Sequence, residues 1–314
     1  MKLVFAFLRL IRWPNLVFIM LTQYLFYYSI VLRFKIPPVD SHFSDSLFLY
    51  LVLASVLIAA AGYIINDYFD INIDQVNKPG RLVVDKIIKR RWAMLFHIVI
   101  SLAGFAVSIY IDLLTPGFWL GISSLLCVLL LFGYSVNLKK KFLIGNVLIS
   151  ALTAWVIVVV FLNYYNSFYS SNNLFPVEPN INIRFTRIAL LYAGFAFIIS
   201  LIREVVKDLE DIAGDAKFGG RTMPIVWGIP ATKVFVAVWI IVLISILGIV
   251  QFYVLQFNWW WSTAYCLLFI IIPLFWVLRK LYLANNTAQY HRLSIVIKLI
   301  MLSGILSMLF FKIY

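Results

Sequence analysis

The chain has 314 residues, of which 64% are hydrophobic and only 12% are charged. That charged share is about half the usual value for a soluble globular domain, and the mean hydropathy is +0.98. This composition excludes a soluble fold and predicts an integral membrane protein. The net charge of +13 is spread too thinly along the chain to form a nucleic-acid surface, so no nucleic-acid partner is expected.

The chain begins with an apolar segment that carries three basic side chains and lacks the small-residue cleavage site of a signal peptide. We expect residues 1–13 to form an amphipathic helix in the membrane interface. A membrane span needs about 20 mainly apolar residues. Nine stretches fit, namely 14–32, 46–65, 92–112, 118–136, 144–165, 186–203, 233–253, 259–278 and 293–311. No other segment could be a soluble domain, so residues 1–314 are predicted to form one all-α membrane domain.

The basic residues are distributed unevenly between the two ends of these spans. With the N-terminus in the cytoplasm, twenty of the 26 lysines and arginines lie on the cytoplasmic side, and five lie on the opposite side. This bias follows the positive-inside rule, and it predicts that the N-terminus is cytoplasmic.

Nine of the thirteen acidic residues lie in two of the predicted cytoplasmic loops. Each loop carries three aspartates spaced i, i+3, i+7, namely Asp67, Asp70 and Asp74, and Asp208, Asp211 and Asp215. On a helix this spacing places the carboxylates on one face, where they repel one another. A bound cation would relieve the repulsion. Oxygen ligands without a histidine or cysteine cluster indicate Mg²⁺ before Zn²⁺.

Basic residues follow each acidic ladder: Lys78 and Arg81 the first, Lys217 and Arg221 the second. Mg²⁺ usually keeps some waters and shares its remaining positions with phosphate oxygens. Carboxylates, metal and cations together indicate a site for a polyanion, and a diphosphate fits it best. The alternative is a pair of solvated loops, but two matched ladders at the ends of spans favour the ligand site. An oxygen-ligand site and two cysteines in apolar runs suit a bacterial inner membrane.

These motifs resemble those of the UbiA-type intramembrane prenyltransferases. The stretch that begins at Asn66 matches the NDxxDxxxD signature of that family, and Asp211-x-x-x-Asp215 resembles its second, DxxxD-type motif. Gly133-Tyr134-Ser135 with Lys139 resembles a third patch that follows the fourth span. The resemblance covers nearly the whole chain. It implies nine transmembrane helices around a central cavity, capped on the cytoplasmic side by the motif loops.

The resemblance also implies roles for individual residues. Mg²⁺ would hold a prenyl diphosphate donor, and its ligands would be the motif residues Asn66, Asp70, Asp74, Asp211 and Asp215. Asp67 and Asp208 would be further ligands or supports for the ligands. Lys78, Arg81 and Lys139 would hold the diphosphate, and Tyr134 would contact the substrate.

The stretch REVVKDLEDIAGD, with Gly-Arg-Thr-Met-Pro shortly after it, resembles the branch of the family that makes digeranylgeranylglyceryl phosphate. This implies a geranylgeranyl donor and a hydrophobic, lipid-like acceptor. The alternative acceptor is an aromatic ring, as in quinone or haem side-chain biosynthesis. The chain departs from many relatives at residues 81–86, where they carry a proline-rich run.

Prenyl transfer needs a group that accepts the proton of the acceptor hydroxyl, and Asp208 or Asp211 is the candidate base. Arg203 and Lys207, one helical turn apart, either hold a phosphate of the acceptor or anchor the sixth span at the membrane surface. Tyr134 either stabilises the cationic allylic fragment or packs against lipid.

Two other classes of protein were weighed against the enzyme. A divalent-cation transporter needs acidic residues at mid-membrane depth, but the spans carry almost none, and Asp112 lies at the end of one. A scaffold that binds isoprenoids without turnover is disfavoured because the motif ligands are intact. Lys298 lies inside the ninth span, where an ionisable residue is a functional candidate by default. The alternative is that its long side chain reaches the interface, so Lys298 is not included in the predicted site.

Overall fold

The computed structural model describes residues 2–34, 44–77, 80, 82–115, 118–171 and 179–314. Within these residues the protein is helical, and its one β-bridge joins Val84 to Ile88. The α-helices are α1 (Lys2–Leu10), α2 (Trp13–Leu25), α3 (Asp45–Phe69), α4 (Ile71–Asn77), α5 (Arg90–Leu114), α6 (Trp119–Val136), α7 (Ile144–Ser171), α8 (Pro179–Lys217), α9 (Met223–Val226), α10 (Gly228–Leu255), α11 (Trp260–Cys266), α12 (Ile272–Leu283), α13 (Thr287–Leu306) and α14 (Phe310–Ile313).

Nine helical segments of the described chain are long and apolar enough to cross a membrane, which confirms the predicted number. Two of them are composite. The first continues from α2 through a π-helical turn at Phe26–Ile30 and a 3₁₀ turn at Val31–Phe34. The eighth joins α11 to α12 through a π-helical turn at Leu267–Ile271. Pro273 follows this second turn, and because proline has no N–H group, the regular hydrogen-bond ladder cannot run through it.

Helix α8 is much longer than the predicted span 186–203. It has 39 residues and is therefore about 58 Å long at 1.5 Å per residue. The prediction placed the second acidic ladder in a loop, and this was wrong. A buried apolar face formed by Val205, Val206 and Leu209 continues the helix past the apolar stretch. The helix ends just before Gly219, whose φ of 75° is left-handed.

The first acidic ladder crosses a helix break instead of lying on one helix. Helix α3 ends at Phe69, and Asp70 is its C-terminal cap, with φ −89° and ψ 0°. Helix α4 then begins at Ile71 and carries Asp74. The break turns α4 toward α8, against which it packs.

A central cavity of about 1140 Å³ lies inside the bundle, as predicted. Its walls come from α1–α8 and α13, while α10, α11 and α12 contribute no lining side chain that the structure describes. Helix α10 packs instead against α8, α12 packs against α13, and α11 packs against α10. The cavity runs from the acidic motifs at one end of the bundle to Leu51, Ser108 and Leu120 deep among the helices.

Helix α1 covers the first motif from outside. It buries Ala6 and Leu10 in a small apolar cluster with Ile64, Val83 and Val84. The same cluster buries Ile88, so it accounts for three apolar residues of the segment 82–88. The helix exposes its Leu3, Val4 and Phe5 side chains and ends at Leu10, not at residue 13. Its position in the membrane interface stays a prediction.

Candidate active site

Both oxygens of the Asp70 carboxylate are held by neighbouring side chains. Lys139 Nζ lies 2.5 Å from Asp70 Oδ1, and Asn66 Nδ2 donates a hydrogen bond to Asp70 Oδ2 at 2.8 Å. Lys139 also donates to Asn66 Oδ1 at 3.3 Å. The fold therefore brings the third sequence patch onto the first acidic motif, although Lys139 and Asp70 are 69 residues apart.

A tight turn between α6 and α7 positions Lys139. It lies in a 3₁₀ turn at Leu138–Lys140, which crosses closely over the start of α7. A Cβ atom on Gly145 would lie 2.8 Å from the Lys139 Cα, so only glycine leaves room for the turn. Tyr134, for which the sequence left lipid packing as the alternative, packs against the same glycine and lines the cavity.

Arg12 joins the site from the turn between α1 and α2. Its Nη2 lies 2.6 Å from Asp67 Oδ1, and its guanidinium stands 5.3 Å from the centre of the Tyr63 ring. Burial would lower the pKa of Arg12, but the Asp67 carboxylate outweighs that effect and raises it, so the residue stays charged. Arg12 adopts a left-handed backbone conformation with φ 50°. In the sequence, Arg12 stands out only as a basic residue ahead of the first span.

The second ladder faces the same cavity from α8. Asp208, Asp211 and Asp215 all line it, together with the residues of the first motif. Asn146 of α7 donates a hydrogen bond from Nδ2 to Asp208 Oδ2 at 2.8 Å. The predicted meeting of the two ladders in one place is thus observed, although the sequence did not single out Asn146.

Asn77, the last residue of α4, ties the two ladders together. Its Nδ2 donates to the Asp211 carbonyl oxygen at 3.1 Å, and the Gly214 N–H donates to its Oδ1 at 2.8 Å. A Cβ atom on Gly214 would lie 2.5 Å from Asn77 Nδ2. The glycine therefore provides the space into which Asn77 fits, and this pair of residues sets the distance between α4 and α8.

The segment after α8 is connected to the third patch through its backbone. The Gly220 N–H donates to the Asp215 carbonyl at 2.7 Å, and the Arg221 N–H donates to the Lys140 carbonyl at 2.8 Å. All three sequence motifs are thus joined by direct hydrogen bonds.

Of the remaining predicted residues, Lys78 and Arg81 lie outside the described residues.

A second group of basic residues lies on the cavity wall, and two of them precede the second ladder in the sequence of α8. Arg203 Nη1 and Lys207 Nζ share the Glu204 carboxylate, at 3.0 and 2.9 Å. Lys298 of α13 also lines the cavity and donates to Asn15 Oδ1 at 2.7 Å. The sequence left open whether Lys298 serves a function or reaches the membrane interface; in the structure Asn15 holds its ammonium group at the cavity wall.

The donor set fits a hard divalent cation. Seven side chains with carboxylate or amide oxygens face the cavity from the two ladders, namely Asn66, Asp67, Asp70, Asp74, Asp208, Asp211 and Asp215. Among the described residues, no three acidic, histidine or cysteine side chains converge closely enough to hold a metal by themselves. Mg²⁺ needs few protein ligands, because it completes its shell with water and phosphate oxygens. The arrangement therefore suits a metal that arrives with a phosphorylated substrate.

Asp112, the acidic residue at the end of a span, has a structural role. Its two carboxylate oxygens accept hydrogen bonds from the backbone N–H groups of Leu120 and Gly121, at 3.2 and 2.6 Å. These N–H groups belong to the first turn of α6, which has no intrahelical partners for them. Asp112 therefore caps α6, and it is not part of an ion pathway along the cavity.

Nine apolar helices and an acidic cavity with basic walls define an integral membrane protein with a site for a phosphorylated ligand. Residues 38–302 match the family model described as the UbiA prenyltransferase family. The chain belongs to that family.

Relatives and solved structures agree with this assignment. Digeranylgeranylglyceryl phosphate synthase of Sulfolobus acidocaldarius is 34% identical over 81% of this chain and 80% of its own. The protein of that name from Methanosphaera stadtmanae is 28% identical over 81% of this chain and 84% of its own.

Two solved structures share the fold. A structure from work on digeranylgeranylglyceryl phosphate synthase in membranes aligns with a TM-score of 0.61 and 23% identity, over 98% of this chain and 99% of that one. A UbiA homolog from Archaeoglobus fulgidus bound to DMAPP and Mg²⁺ aligns with a TM-score of 0.56 and 16% identity, over 96% and 99%.

Proposed function

We propose that this prenyltransferase uses Mg²⁺ to transfer a geranylgeranyl group from its diphosphate to geranylgeranylglyceryl phosphate. One observation carries the proposal: two acidic ladders and Lys139 meet at one end of a cavity inside the membrane. The named relatives make a glyceryl phosphate with two geranylgeranyl groups, so their acceptor bears one. A UbiA homolog of the same fold was solved with DMAPP and Mg²⁺.

The acidic ladders would hold the metal through Asn66, Asp67, Asp70, Asp74, Asp211 and Asp215. Bound there, Mg²⁺ supplies a Lewis acid that neutralises charge on the leaving diphosphate. The residues named here supply only oxygen atoms, which is the chemistry that Mg²⁺ prefers.

The basic residues of the site would bind the diphosphate itself. Lys139 and Arg12 neutralise Asp70 and Asp67 in the structure, and each can turn its charge toward an incoming phosphate oxygen. Lys78 and Arg81 are proposed to help from the segment after α4. Tyr134 would contact the first carbons of the donor, where its ring faces the cavity.

In the reaction, the bond between the allylic carbon and the diphosphate oxygen breaks, and the acceptor hydroxyl oxygen forms an ether bond to that carbon. The hydroxyl proton passes to a carboxylate, for which we propose Asp208 or Asp211. Asn146 holds one oxygen of Asp208 and would orient the other toward the acceptor. The apolar cavity excludes the water that would otherwise trap the allylic cation.

We further propose that residues 1–314 act as one domain, with the N-terminus and the acidic motifs on the cytoplasmic side. The excess of basic residues at that end supports this orientation. A bacterial inner membrane stays a prediction, and the two relatives named above are archaeal.

The test is prenyl transfer by the purified protein in lipid vesicles with Mg²⁺. Labelled geranylgeranyl diphosphate is offered with geranylgeranylglyceryl phosphate or with 4-hydroxybenzoate. We expect product on the glyceryl phosphate, and loss of at least about a hundredfold in kcat for Asp70→Asn and Asp211→Asn. Product on the aromatic ring would overturn the acceptor but keep the donor site. Full activity of either variant would overturn the metal site.

A further inference from the structure

Lys298 is a charged residue inside a membrane span that has no described acidic partner. Its Nζ donates to the neutral Asn15 Oδ1 at 2.7 Å and stands 4.9 Å from the centre of the Phe18 ring. A charge in this position is costly, and residues of this kind usually serve a ligand. Because Lys298 lines the same cavity as the acidic ladders, that ligand is expected to be an anion inside the cavity.

Two more cations stand on the facing helix α8. Arg203 and Lys207 share one carboxylate, that of Glu204, and their charges act electrostatically on Lys298. Within this group three cations stand against one carboxylate, while Asp208, which acts electrostatically on Lys207, belongs to the second ladder. The Nε atom of Arg203 is buried and has no hydrogen-bond partner among the described residues. This buried donor is a second, independent sign that the group is completed by a ligand with oxygen acceptors.

We infer that Lys298, Arg203 and Lys207 form a subsite for the phosphate group of the acceptor, separate from the site of the donor diphosphate. This inference rests on the proposed function. A phosphate monoester carries close to two negative charges at neutral pH, which matches the excess charge of the group. Arg203 and Lys207 were candidates for an acceptor phosphate from the sequence, whereas the meeting of Lys298 with them at one cavity emerges only from the fold.

The position of the subsite fits the geometry of the reaction. Arg203 lies five residues before Asp208 on α8, which is about 8 Å along the helix axis. The phosphate and the free hydroxyl of the acceptor sit on one glycerol backbone, a few ångströms apart. A phosphate bound by the three cations therefore leaves the hydroxyl near the ladder that carries the proposed base, Asp208 or Asp211.

The subsite is tested by comparing two acceptors in vesicles with Mg²⁺ and geranylgeranyl diphosphate. One is geranylgeranylglyceryl phosphate, and the other is geranylgeranylglycerol, which lacks the phosphate. We expect the wild type to prefer the phosphorylated acceptor. Lys298→Met removes the charge but keeps the length of the side chain, and it should lower that preference roughly tenfold to a hundredfold. The loss should appear in the KM for the phosphorylated acceptor, with the KM for the donor unchanged.

Three further variants keep the result interpretable. Arg292→Met alters an exposed residue of the same helix outside the cavity and should keep the preference. Lys298→Arg keeps the charge and should restore most of it. Lys298→Gln replaces the methionine variant if that one does not fold. A purely structural role of the Lys298–Asn15 bond would lower activity toward both acceptors equally.

The outcomes separate the subsite from the proposed function. If the wild type prenylates neither acceptor, the proposed function fails and the subsite fails with it. If the wild type uses both acceptors equally, or if the Lys298 variants keep the preference, the subsite is overturned while prenyl transfer stands. A rise in the KM for the donor in the Lys298 variants would assign these cations to the donor diphosphate and would also overturn the inference.

Discussion

At the scale of single residues, the site is built from ion pairs that a bound substrate would rearrange. Lys139 is paired with one carboxylate oxygen of Asp70, and Arg12 is paired with one carboxylate oxygen of Asp67. These pairs give each carboxylate a cationic partner in the absence of other cations, because a partly buried charge needs one. A metal would supply a new cation for the carboxylates, and a diphosphate would supply a new anion for Lys139 and Arg12. Each charged group would therefore exchange one partner for another of the same sign.

Neutralising Lys139 tests this exchange. Lys139→Gln should reduce kcat/KM for the prenyl diphosphate about a hundredfold, because a charged donor to the leaving group is lost in a site sheltered from water. Lys141→Gln is the matched control, since Lys141 is an exposed neighbour that does not line the cavity. Initial rates across a range of donor concentrations measure both variants. Equal effects at positions 139 and 141 would mean that general surface charge, not a specific contact, assists the reaction.

At the scale of helices, a short connection aligns the two ladders. Helix α4 has only seven residues, too few to be a stable helix alone. Its place depends on packing against α8 and on the two hydrogen bonds of Asn77. Asp74, the part of the first acidic motif that α4 carries, therefore takes its position from the second motif.

Filling the space beside Asn77 should separate the ladders. In Gly214→Ala the new Cβ would lie 2.5 Å from Asn77 Nδ2, so the amide must move and lose both bonds, at about 1 kcal/mol each. We expect kcat/KM to fall at least about tenfold. Gly194→Ala on the same helix meets no atom within 4 Å and should stay within about twofold of the wild type. Retained activity in Gly214→Ala would show that α4 does not need this contact.

Sequence patterns identified most of this architecture, and the exceptions have physical causes. Apolar length defines a span directly, so nine were found. The extension of α8 was missed because the face that lines the cavity is acidic, whereas the buried face of Val205 and Leu209 maintains the helix. Both ladders were found from their spacing. Asn77, Asn146 and Arg12 carry no such repeat, and their roles depend on which helices become neighbours.

At the scale of the whole molecule, the cavity extends from its acidic end deep into the helical bundle. Ala54 lines the cavity from α3, thirteen residues before Asp67, which is about 20 Å along the helix. A long prenyl tail would pass this point, whereas a short one would end before it. Burial contributes about 0.8 kcal/mol per CH₂ group, so a tail of about twenty carbons gains much of its affinity from the deep part of the cavity.

Narrowing the cavity should change the preferred donor. Ala54→Phe is expected to lower kcat/KM for geranylgeranyl diphosphate about tenfold, because overpacking costs about 1–3 kcal/mol, while geranyl diphosphate is used as well as before. Leu53→Phe alters the adjacent, exposed position outside the cavity and controls for the aromatic ring. Competition between the two donors gives the ratio directly. An unchanged ratio would place the tail in another part of the bundle.

The unbroken run of α8 has a further consequence for selectivity. One continuous helix carries Arg203, Lys207, Asp208 and Asp211. The distance between its basic and acidic groups along the axis is therefore set in steps of about 1.5 Å, the rise per residue. A single inserted residue would shift one group by that distance and rotate it by about 100°. Acceptors would therefore be sorted by the separation of their hydroxyl and anionic groups, and lineages could change substrate by altering the register of this helix while every contact residue stays the same.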